Sequence, residues 1–289
     1  MQTTLSCIPC LLKQGIKIAE FLDIDDLKSE EMMREILDSL KKENYKNSPP
    51  HLAKSVYSII YKFAGTNDPY KEIKKYYNNE ILKIEKDLKK IIDNAPNKFN
   101  AALKLAITGN IIDFGTEYSI TKEFVLSKFE EVHEKKLKID DSIKMYKKLK
   151  DAKTLLYLGD NCGEIVTDKI FIEHLKNIFP NLDITFGVRG TPIINDITLE
   201  DAKMVKMEEV ATVLDNGDGA PGTVIENVSD NFKQIFYNSD IVIAKGQGNY
   251  ETLSGIDRKD VYMLFMAKCD VVAKKIGVEP MSLICMKNF

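Results

Sequence analysis

The stretch that decides the fold is Thr154-Leu-Leu-Tyr-Leu-Gly-Asp-Asn-Cys-Gly163, a short apolar run followed by a turn of small and polar residues. An amphipathic pattern then continues to Phe179, which predicts a helix. The order of apolar run, turn and helix recurs, with further apolar runs at 184–188, 210–214, 240–244, 261–266 and 283–286. Buried runs that alternate with helices favour a parallel sheet covered on both faces. We therefore predict an α/β fold, a three-layer α/β/α sandwich with a mainly parallel sheet.

The first half of the chain has a different pattern. Residues 1 to about 150 show helical periodicity and no convincing strand alternation. One long amphipathic stretch places apolar residues on one helical face from Ile73 to Ile92. We predict an all-helical N-terminal domain over residues 1–150 and a Rossmann-like α/β domain, which carries a metal site, over residues 151–289.

Composition excludes several classes of function. The chain has 289 residues, 44% of them hydrophobic and 29% charged, which is ordinary for a globular protein. The net charge of −3 gives no basic surface for nucleic acid, so no nucleic-acid partner is expected. No apolar run approaches 18 residues and the N-terminus does not read as a signal peptide, so we expect a cytoplasmic protein with no membrane partner. Five cysteines in a chain of this length do not indicate a disulfide framework.

Polar residues concentrate directly after three of the apolar runs. Asp160 and Asn161 follow the first run, and Arg189 and Asp196 follow the second. The run at 240–244 is followed by Lys245-Gly-Gln-Gly-Asn-Tyr-Glu251. In parallel α/β sheets, ligands bind at the carboxyl ends of the strands. If these strands are neighbours, the three polar segments converge on one edge of the sheet.

The residue types in these segments suit a metal and an anion. Carboxylate and amide oxygens are hard ligands, so Asp160, Asn161 and Asp196 could hold Mg²⁺ or Mn²⁺. Lys245 brings a positive charge, and glycines at 246 and 248 let backbone N–H groups approach an anion closely. Turns and helix caps would use the same residue types. From the residues alone, a ligand site is favoured but its reaction stays open.

The same segments resemble a known family. Gly159–Asp168, Val188–Thr198 and Ile243–Glu251 are similar to the damage-control phosphatases, formerly a domain of unknown function. The likeness extends to Cys7–Cys10, Asp68–Lys74, Gly109–Phe114 and Ala267–Val271, so it spans nearly the whole chain. The Cys-x-x-Cys start resembles the smaller prokaryotic subgroup. Cys162 stands where many relatives have alanine, a departure that leaves the metal-binding oxygens intact.

The resemblance implies a divalent-metal-dependent phosphatase that hydrolyses phosphate monoesters of small metabolites, either sugar phosphates or damaged cofactor phosphates. One Mn²⁺, Co²⁺, Ni²⁺ or Mg²⁺ ion is the implied cofactor. By position, the metal ligands fall on Asp160, Asn161 and Asp196, and the catalytic residues on Asp160, Asp196 and Lys245. The implied residues for substrate or phosphate binding are Lys245, Gly246, Gly248, Asn249, Arg189, Asn110 and Asp113.

Two alternatives stay open for the protein as a whole. The same cleft would also suit a non-catalytic protein that binds a metal or a phosphorylated metabolite, with Cys7 and Cys10 as a redox pair. A second enzymatic alternative would form a covalent aspartyl-phosphate.

Single residues also have alternative roles. Cys7 and Cys10 are structural thiols, a redox pair or metal ligands, whereas Cys269 and Cys285 are predicted to lie in the core. The alternative for Lys245 is an ion pair with Glu251 or Asp240 at the rim of the sheet.

Overall fold

The computed structural model describes residues 1–109 and 122–288. The first part of this described chain is mostly helical, with α1 (Cys7–Phe21), α2 (Asp26–Lys42), α3 (Pro49–Ala64), α4 (Lys71–Asn94), α5 (Lys98–Thr108), α6 (Lys122–Glu134) and α7 (Ser142–Asp151). The strands are β1 (Ile139–Asp140), β2 (Thr154–Leu158), β3 (Asp183–Val188), β4 (Thr212–Asp215), β5 (Ile241–Lys245), β6 (Val261–Ala267) and β7 (Ser282–Lys287). Between the later strands lie α8 (Glu164–Ile178), α9 (Leu199–Met204), α10 (Asp230–Asn238), α11 (Gly246–Leu253) and α12 (Asp270–Ile276), with a 3-10 turn at Met207–Glu209.

Local sequence signals set the ends of the early helices. The side chain of Asp25 accepts a hydrogen bond from the backbone N–H of Lys28 at 3.0 Å, which caps the start of α2. Prolines occupy the first turn of α3, where a missing N–H costs nothing, and Gly65 ends that helix at a φ of +66°. No helix within the described residues is long and apolar enough to cross a membrane.

The seven strands form one sheet in the order β1-β7-β6-β5-β2-β3-β4. Every neighbouring pair is parallel except β6 and β7. The predicted, mainly parallel sheet is therefore confirmed. β5, β2 and β3 are direct neighbours, so their carboxyl ends lie side by side at one edge.

The two faces of the sheet are covered by separate apolar clusters. Side chains alternate between the two faces along a strand. Leu155 and Tyr157 of β2 therefore lie in one cluster, together with residues of α4, α5, α7 and α8. Leu156 and Leu158 lie in the other cluster, together with residues of α10, α11 and α12. The predicted three-layer α/β/α arrangement is thereby confirmed. A third cluster is formed by α1, α2 and α3, and it includes Ile193 from the segment after β3.

One element of the first half was missed. The prediction of an all-helical segment over residues 1–150 overlooked β1, which pairs with β7 through Ile139 and Asp140. Two residues are too few to show an alternating pattern. The apolar faces of α4, α5 and α7 also belong to the same cluster as β2. The domain boundary near residue 150 stays a prediction.

Candidate active site

Asp160 and Asn161 lie directly after β2. Their side chains are almost completely buried, with 6% and 8% of the residue surface exposed. The backbone is fixed on both sides, because Gly159 N–H donates to the carbonyl of Gly187 at 3.0 Å and Ile197 N–H donates to the carbonyl of Asp160 at 3.0 Å. The carboxamide of Asn161 donates through Nδ2 to Oδ2 of Asp160. The turn therefore holds both side chains in place before α8 begins.

The segment after β3 brings Arg189 and Asp196 to the same point. Asn161 and Asp196 form an isolated antiparallel bridge. Arg189 is buried and donates from Nε to Oδ2 of Asp196 at 2.6 Å, and from Nη2 to Oδ1 of Asp160 at 3.4 Å. The structure thus brings together all three predicted metal ligands and the predicted arginine.

The electrostatics of this group favour an added cation. Burial raises the pKa of Asp160 well above its usual range, and the charges of Asp196 and Glu164 raise it further. Burial also raises the pKa of Asp196, and Arg189 opposes that shift. Arg189 contacts both aspartates but carries only one positive charge, so both carboxylates can be charged together in this desolvated place only if a further cation balances them.

Lys245 does not point to the rim. Its side chain is fully buried, and Nζ donates to the carbonyl of Ala106 at 2.7 Å, to Oε1 of Glu164 at 2.6 Å and to Oδ1 of Asp168. An ammonium has three donors, and these acceptors use all of them. The alternative of an ion pair with Glu251 or Asp240 is therefore wrong, since Asp240 instead accepts from the backbone of Lys153 at 2.8 Å.

The lysine is part of a buried polar group behind the aspartates. Although burial alone would lower it, the charges of Asp168 and Glu164 raise the pKa of Lys245 above its usual value. Burial raises the pKa of Asp168 to about 7, against the effect of the ammonium. Tyr157 also donates to Oδ1 of Asp168 at 2.6 Å. The second carboxylate oxygen of Glu164 lies 3.5 Å from Nδ2 of Asn161, so this group touches the predicted ligands.

The glycines after β5 begin a helix rather than a turn, because α11 starts at Gly246. The backbone of Gly246, at a φ of +79°, lies against the carboxylate of Asp160, where a Cβ atom would be 1.9 Å from Oδ2. Gly248 contacts a different loop, since its Cβ would be 2.2 Å from the carbonyl of Pro221. Gly246 is therefore the glycine that touches the predicted ligands.

Asn249 serves the scaffold in this structure. Its Nδ2 donates to the carbonyl of Lys245 at 2.7 Å, and its Oδ1 accepts from the hydroxyl of Thr223 at 2.7 Å. Both ends of the amide are thus used to hold the end of β5 against a neighbouring loop. Its predicted role in phosphate binding stays a prediction.

Sequence reasoning missed a contribution from α4. Oδ1 of Asn78 accepts from the backbone N–H of Gly163 at 2.6 Å, and its Nδ2 donates to Asp201 at 3.1 Å. Lys74, one turn earlier on α4, contacts Asp68 at 2.9 Å and Asp201 at 3.4 Å. These buried contacts hold the start of α8 in position. In the sequence, the resemblance at Asp68–Lys74 was the one sign that this part of α4 matters, because Asn78 lies in an ordinary helical pattern.

Two predicted residues lie outside the described part of the chain, namely Asn110 and Asp113. Gly109, which precedes them, lies against α8, where a Cβ atom would be 3.0 Å from Cα of Glu164. The roles assigned to Asn110 and Asp113 by resemblance stay predictions.

The whole chain matches a known family. The model of the damage-control phosphatase ARMT1-like domain matches residues 3–284. The chain belongs to this family. The predicted damage-control phosphatase membership is thereby confirmed, whereas the placement in a subgroup with an N-terminal Cys-x-x-Cys stays a prediction.

Relatives of the damage-control phosphatase family match along nearly the full length. A protein named damage-control phosphatase from Pyrococcus horikoshii is 36% identical over 294 residues, spanning 100% of this chain and 99% of the relative. Another of that name from Archaeoglobus fulgidus is 33% identical over 276 residues, or 94% of each. The crystal structure of a DUF89 family protein from P. horikoshii matches with a TM-score of 0.93 and 33% identity, covering 100% of both chains. These relatives support a phosphatase role in metabolite repair.

The residues present fit a divalent cation by their chemistry. Two carboxylates and one carboxamide supply hard oxygen donors, and the raised pKa values of Asp160 and Asp196 mean that their charged forms need added positive charge. Within residues 1–109 and 122–288, no three His, Cys, Asp or Glu side chains already surround a common point. The predicted set contains only two such side chains, because its third member is Asn161.

Proposed function

We propose that this damage-control phosphatase family member is a divalent-metal-dependent enzyme that hydrolyses phosphate monoesters of small metabolites. Sugar phosphates and damaged cofactor phosphates are the proposed substrate classes. The observation that carries the proposal is the convergence of buried Asp160, Asn161, Asp196 and Arg189 at the carboxyl ends of β2 and β3. This edge is where ligands bind in parallel α/β sheets.

Asp160, Asn161 and Asp196 would hold the metal. When bound, a Mn²⁺, Co²⁺, Ni²⁺ or Mg²⁺ ion supplies a Lewis acid for a phosphoryl oxygen and lowers the pKa of bound water. The chain's contribution is a rigid, dry set of oxygens, since both aspartates are more than nine-tenths buried and their backbones are hydrogen bonded. Such pre-organisation limits the reorganisation needed as charge develops in phosphoryl transfer.

Arg189 is the proposed phosphate-binding cation. Its guanidinium already lies between Asp160 and Asp196, and its planar shape suits two phosphoryl oxygens at once. Lys245 is assigned a positioning role, because its three donors are used by protein acceptors. It acts on the site through Glu164, which contacts both Lys245 and Asn161.

A cavity lined by Thr191, Pro192 and Ile193, which belong to the segment that carries Asp196, provides space for the rest of a substrate. It has a volume of about 700 Å³ and lies between α3 and the segment that joins Arg189 to Asp196. Its lining includes Tyr61, whose hydroxyl accepts from the backbone N–H of Ile194 at 2.8 Å. Lys54, also in the lining, pairs with the buried carboxylate of Asp218. Polar and cationic groups here suit a hydroxyl-rich or anionic metabolite.

Removing divalent metal should abolish the activity. After treatment with a chelator, hydrolysis of p-nitrophenyl phosphate should fall by about 100-fold or more, because the ion supplies several kcal/mol of charge stabilisation. Adding back Mn²⁺, Co²⁺, Ni²⁺ or Mg²⁺ one at a time should restore turnover. Released phosphate is the quantity to measure.

Full activity in the chelator-treated protein would show that the reaction does not need the metal. Absence of phosphate release with every metal, from p-nitrophenyl phosphate and from a panel of sugar and cofactor phosphates, would instead favour a non-catalytic binding protein. The panel also ranks the substrate classes by kcat/KM.

Replacing Gly246 with alanine should damage the site specifically. The new Cβ would be 1.9 Å from Oδ2 of Asp160, so the carboxylate must shift, and displacement by about 1 Å can lower turnover by roughly 100-fold. Gly255→Ala is a matched control, because Gly255 has a similar φ of +85° but no heavy atom within 4 Å of its Cβ position. Both variants carry the backbone strain of a positive φ, Gly246→Ala should lose more stability because of the added contact with Asp160, and only Gly246→Ala should lose kcat/KM. Equal activity in the two would show that Gly246 does not shape the site.

A further inference from the structure

Three of the five cysteines line one cavity, and its lining includes none of Asp160, Asn161 and Asp196. The cavity has a volume of about 230 Å³, and Cys7, Cys10 and Cys269 all line it. Cys7 and Cys10 lie three residues apart on the first turn of α1, so they share one face of that helix. Cys269 directly precedes α12. The prediction of a core position is confirmed for Cys285, which is fully buried, whereas Cys269 is partly buried and packs against the core cluster.

A carboxylate lines the same cavity. Glu251 lies on α11, and burial raises the pKa of its carboxyl to about 7. Its Oε1 accepts from Nε2 of Gln247 at 2.8 Å, and Oε1 of Gln247 accepts from the backbone N–H of Cys269 at 3.2 Å. The glutamine thus joins the carboxylate to the third cysteine.

Three thiols and one carboxylate are donors that favour a particular kind of metal ion. Thiolate sulfur is a soft ligand, and sets of three or four Cys, His and carboxylate donors around a tetrahedral ion are typical of Zn²⁺. A disulfide needs only two thiols, so it would leave Cys269 and the carboxylate unexplained. Zinc binds the deprotonated form of cysteine, so binding at these thiols would release protons.

We propose that Cys7, Cys10, Cys269 and Glu251 bind one Zn²⁺ ion, at a site separate from Asp160, Asn161 and Asp196. In the metal-free arrangement, no three such side chains of the described residues yet surround a common point. Binding therefore includes rotation of the thiols toward the ion. Cys7 is half-buried and Cys10 exposed, so they can rotate without displacing a packed core.

The ion would fasten three elements together. It would join the first turn of α1 to α11 and to the start of α12, next to Gly248 in the segment that follows β5. Because the ligands come from both ends of the sequence, binding stabilises the fold more than the unfolded chain. The proposal does not depend on the proposed phosphatase reaction.

Cobalt titration of the whole, reduced protein tests the site directly. Co²⁺ bound to thiolate sulfur gives an intense charge-transfer band, whereas Co²⁺ on an oxygen-only site such as the aspartates gives none. One equivalent of thiolate-bound Co²⁺ should appear, and Zn²⁺ should displace it. In the native protein without Zn²⁺, a thiol reagent should modify Cys7, Cys10 and Cys269, and added Zn²⁺ should prevent this modification. The buried Cys162 and Cys285 should not react in either case.

Variants assign the ligands. Cys10→Ser and Cys269→Ser should each weaken Zn²⁺ binding by about 100-fold or more, since even outer-shell changes often cost 10–100-fold. Ser6→Ala is the matched control, because Ser6 lines the cavity without offering a thiol, and it should bind Zn²⁺ normally. If a serine variant does not fold, the wild-type titration still decides. Absence of the band, an unchanged band in Cys269→Ser, or a Cys7–Cys10 disulfide in protein that takes up no Zn²⁺ would each overturn the proposal.

Discussion

Replacing Lys245 with alanine should cost the protein about 3–5 kcal/mol of unfolding free energy. The ammonium is fully buried and is the cation in hydrogen-bond contact with Glu164 and Asp168, which are buried as well. Without it, both carboxylates would stay in the interior unpaired, and the carbonyl of Ala106 would lose its donor. Urea unfolding followed by circular dichroism gives the free energy.

The loss should also depend on pH. Burial already raises the pKa of Asp168 to about 7, and the ammonium opposes that rise, so its removal moves the pKa higher still. A carboxyl whose pKa is higher in the folded state stabilises the fold below its unfolded pKa and loses that contribution as pH rises through the folded pKa. Lys245→Ala should therefore be closest to wild type near pH 5 and fall further behind toward pH 8.

An exposed lysine provides the comparison. Lys62 contacts Glu35 at 2.7 Å, nearly the length of the contact between Lys245 and Glu164, but both side chains are solvent-exposed. Lys62→Ala should shift the unfolding midpoint little at any pH. If the two variants lose similar stability, the buried group does not support the fold as described.

Turnover should fall with the lysine as well. Lys245 orients Glu164, which lies against Asn161, so kcat/KM should drop by about 100-fold in the folded fraction of Lys245→Ala. Lys245→Arg should not restore it, because the pocket is fully buried and a guanidinium is larger and planar. A drop below roughly tenfold would limit Lys245 to a structural role.

The fold followed from local pattern because the strands are buried on both faces. Apolar runs such as 154–158 stand out when a strand has no solvent-facing side, and polar segments at the ends of neighbouring parallel strands must share an edge. Asp160, Asn161 and Asp196 could therefore be grouped from the sequence. The missed strand β1 shows the limit, since its two residues carry no periodicity.

Contacts between distant segments could not be predicted in this way. Lys245 was placed near a phosphate because it follows a strand, but the choice among its acceptors depends on how α5 and α8 pack, which no local pattern encodes. The same holds for Asn78, which reaches Gly163 across 85 positions of sequence. Likewise, only the fold brings Cys269 to the cavity that Cys7 and Cys10 line.

Asp196→Asn should remove metal binding and lower kcat/KM by about 1,000-fold, which corresponds to roughly 4 kcal/mol. The amide keeps the size of the side chain but loses the charge that a divalent ion needs. The fold should be unharmed or more stable, because burial penalises the charge of Asp196 and its repulsion with Asp160 would be relieved. Arg189 would still pair with Asp160. Metal affinity, turnover and the unfolding midpoint are the three measurements.

A gain in stability with a loss of activity would separate a binding role for Asp196 from a structural one. Asp201→Asn is the matched control, because Asp201 is equally buried but caps α9 and contacts Lys74 and Asn78. Its replacement should lower the free energy of unfolding by about 1–3 kcal/mol and leave metal affinity nearly unchanged. An Asp196→Asn variant that behaves like Asp201→Asn, destabilised but still binding metal, would contradict its assignment as a ligand. The charge of Asp196 would then serve only to hold Arg189 in place.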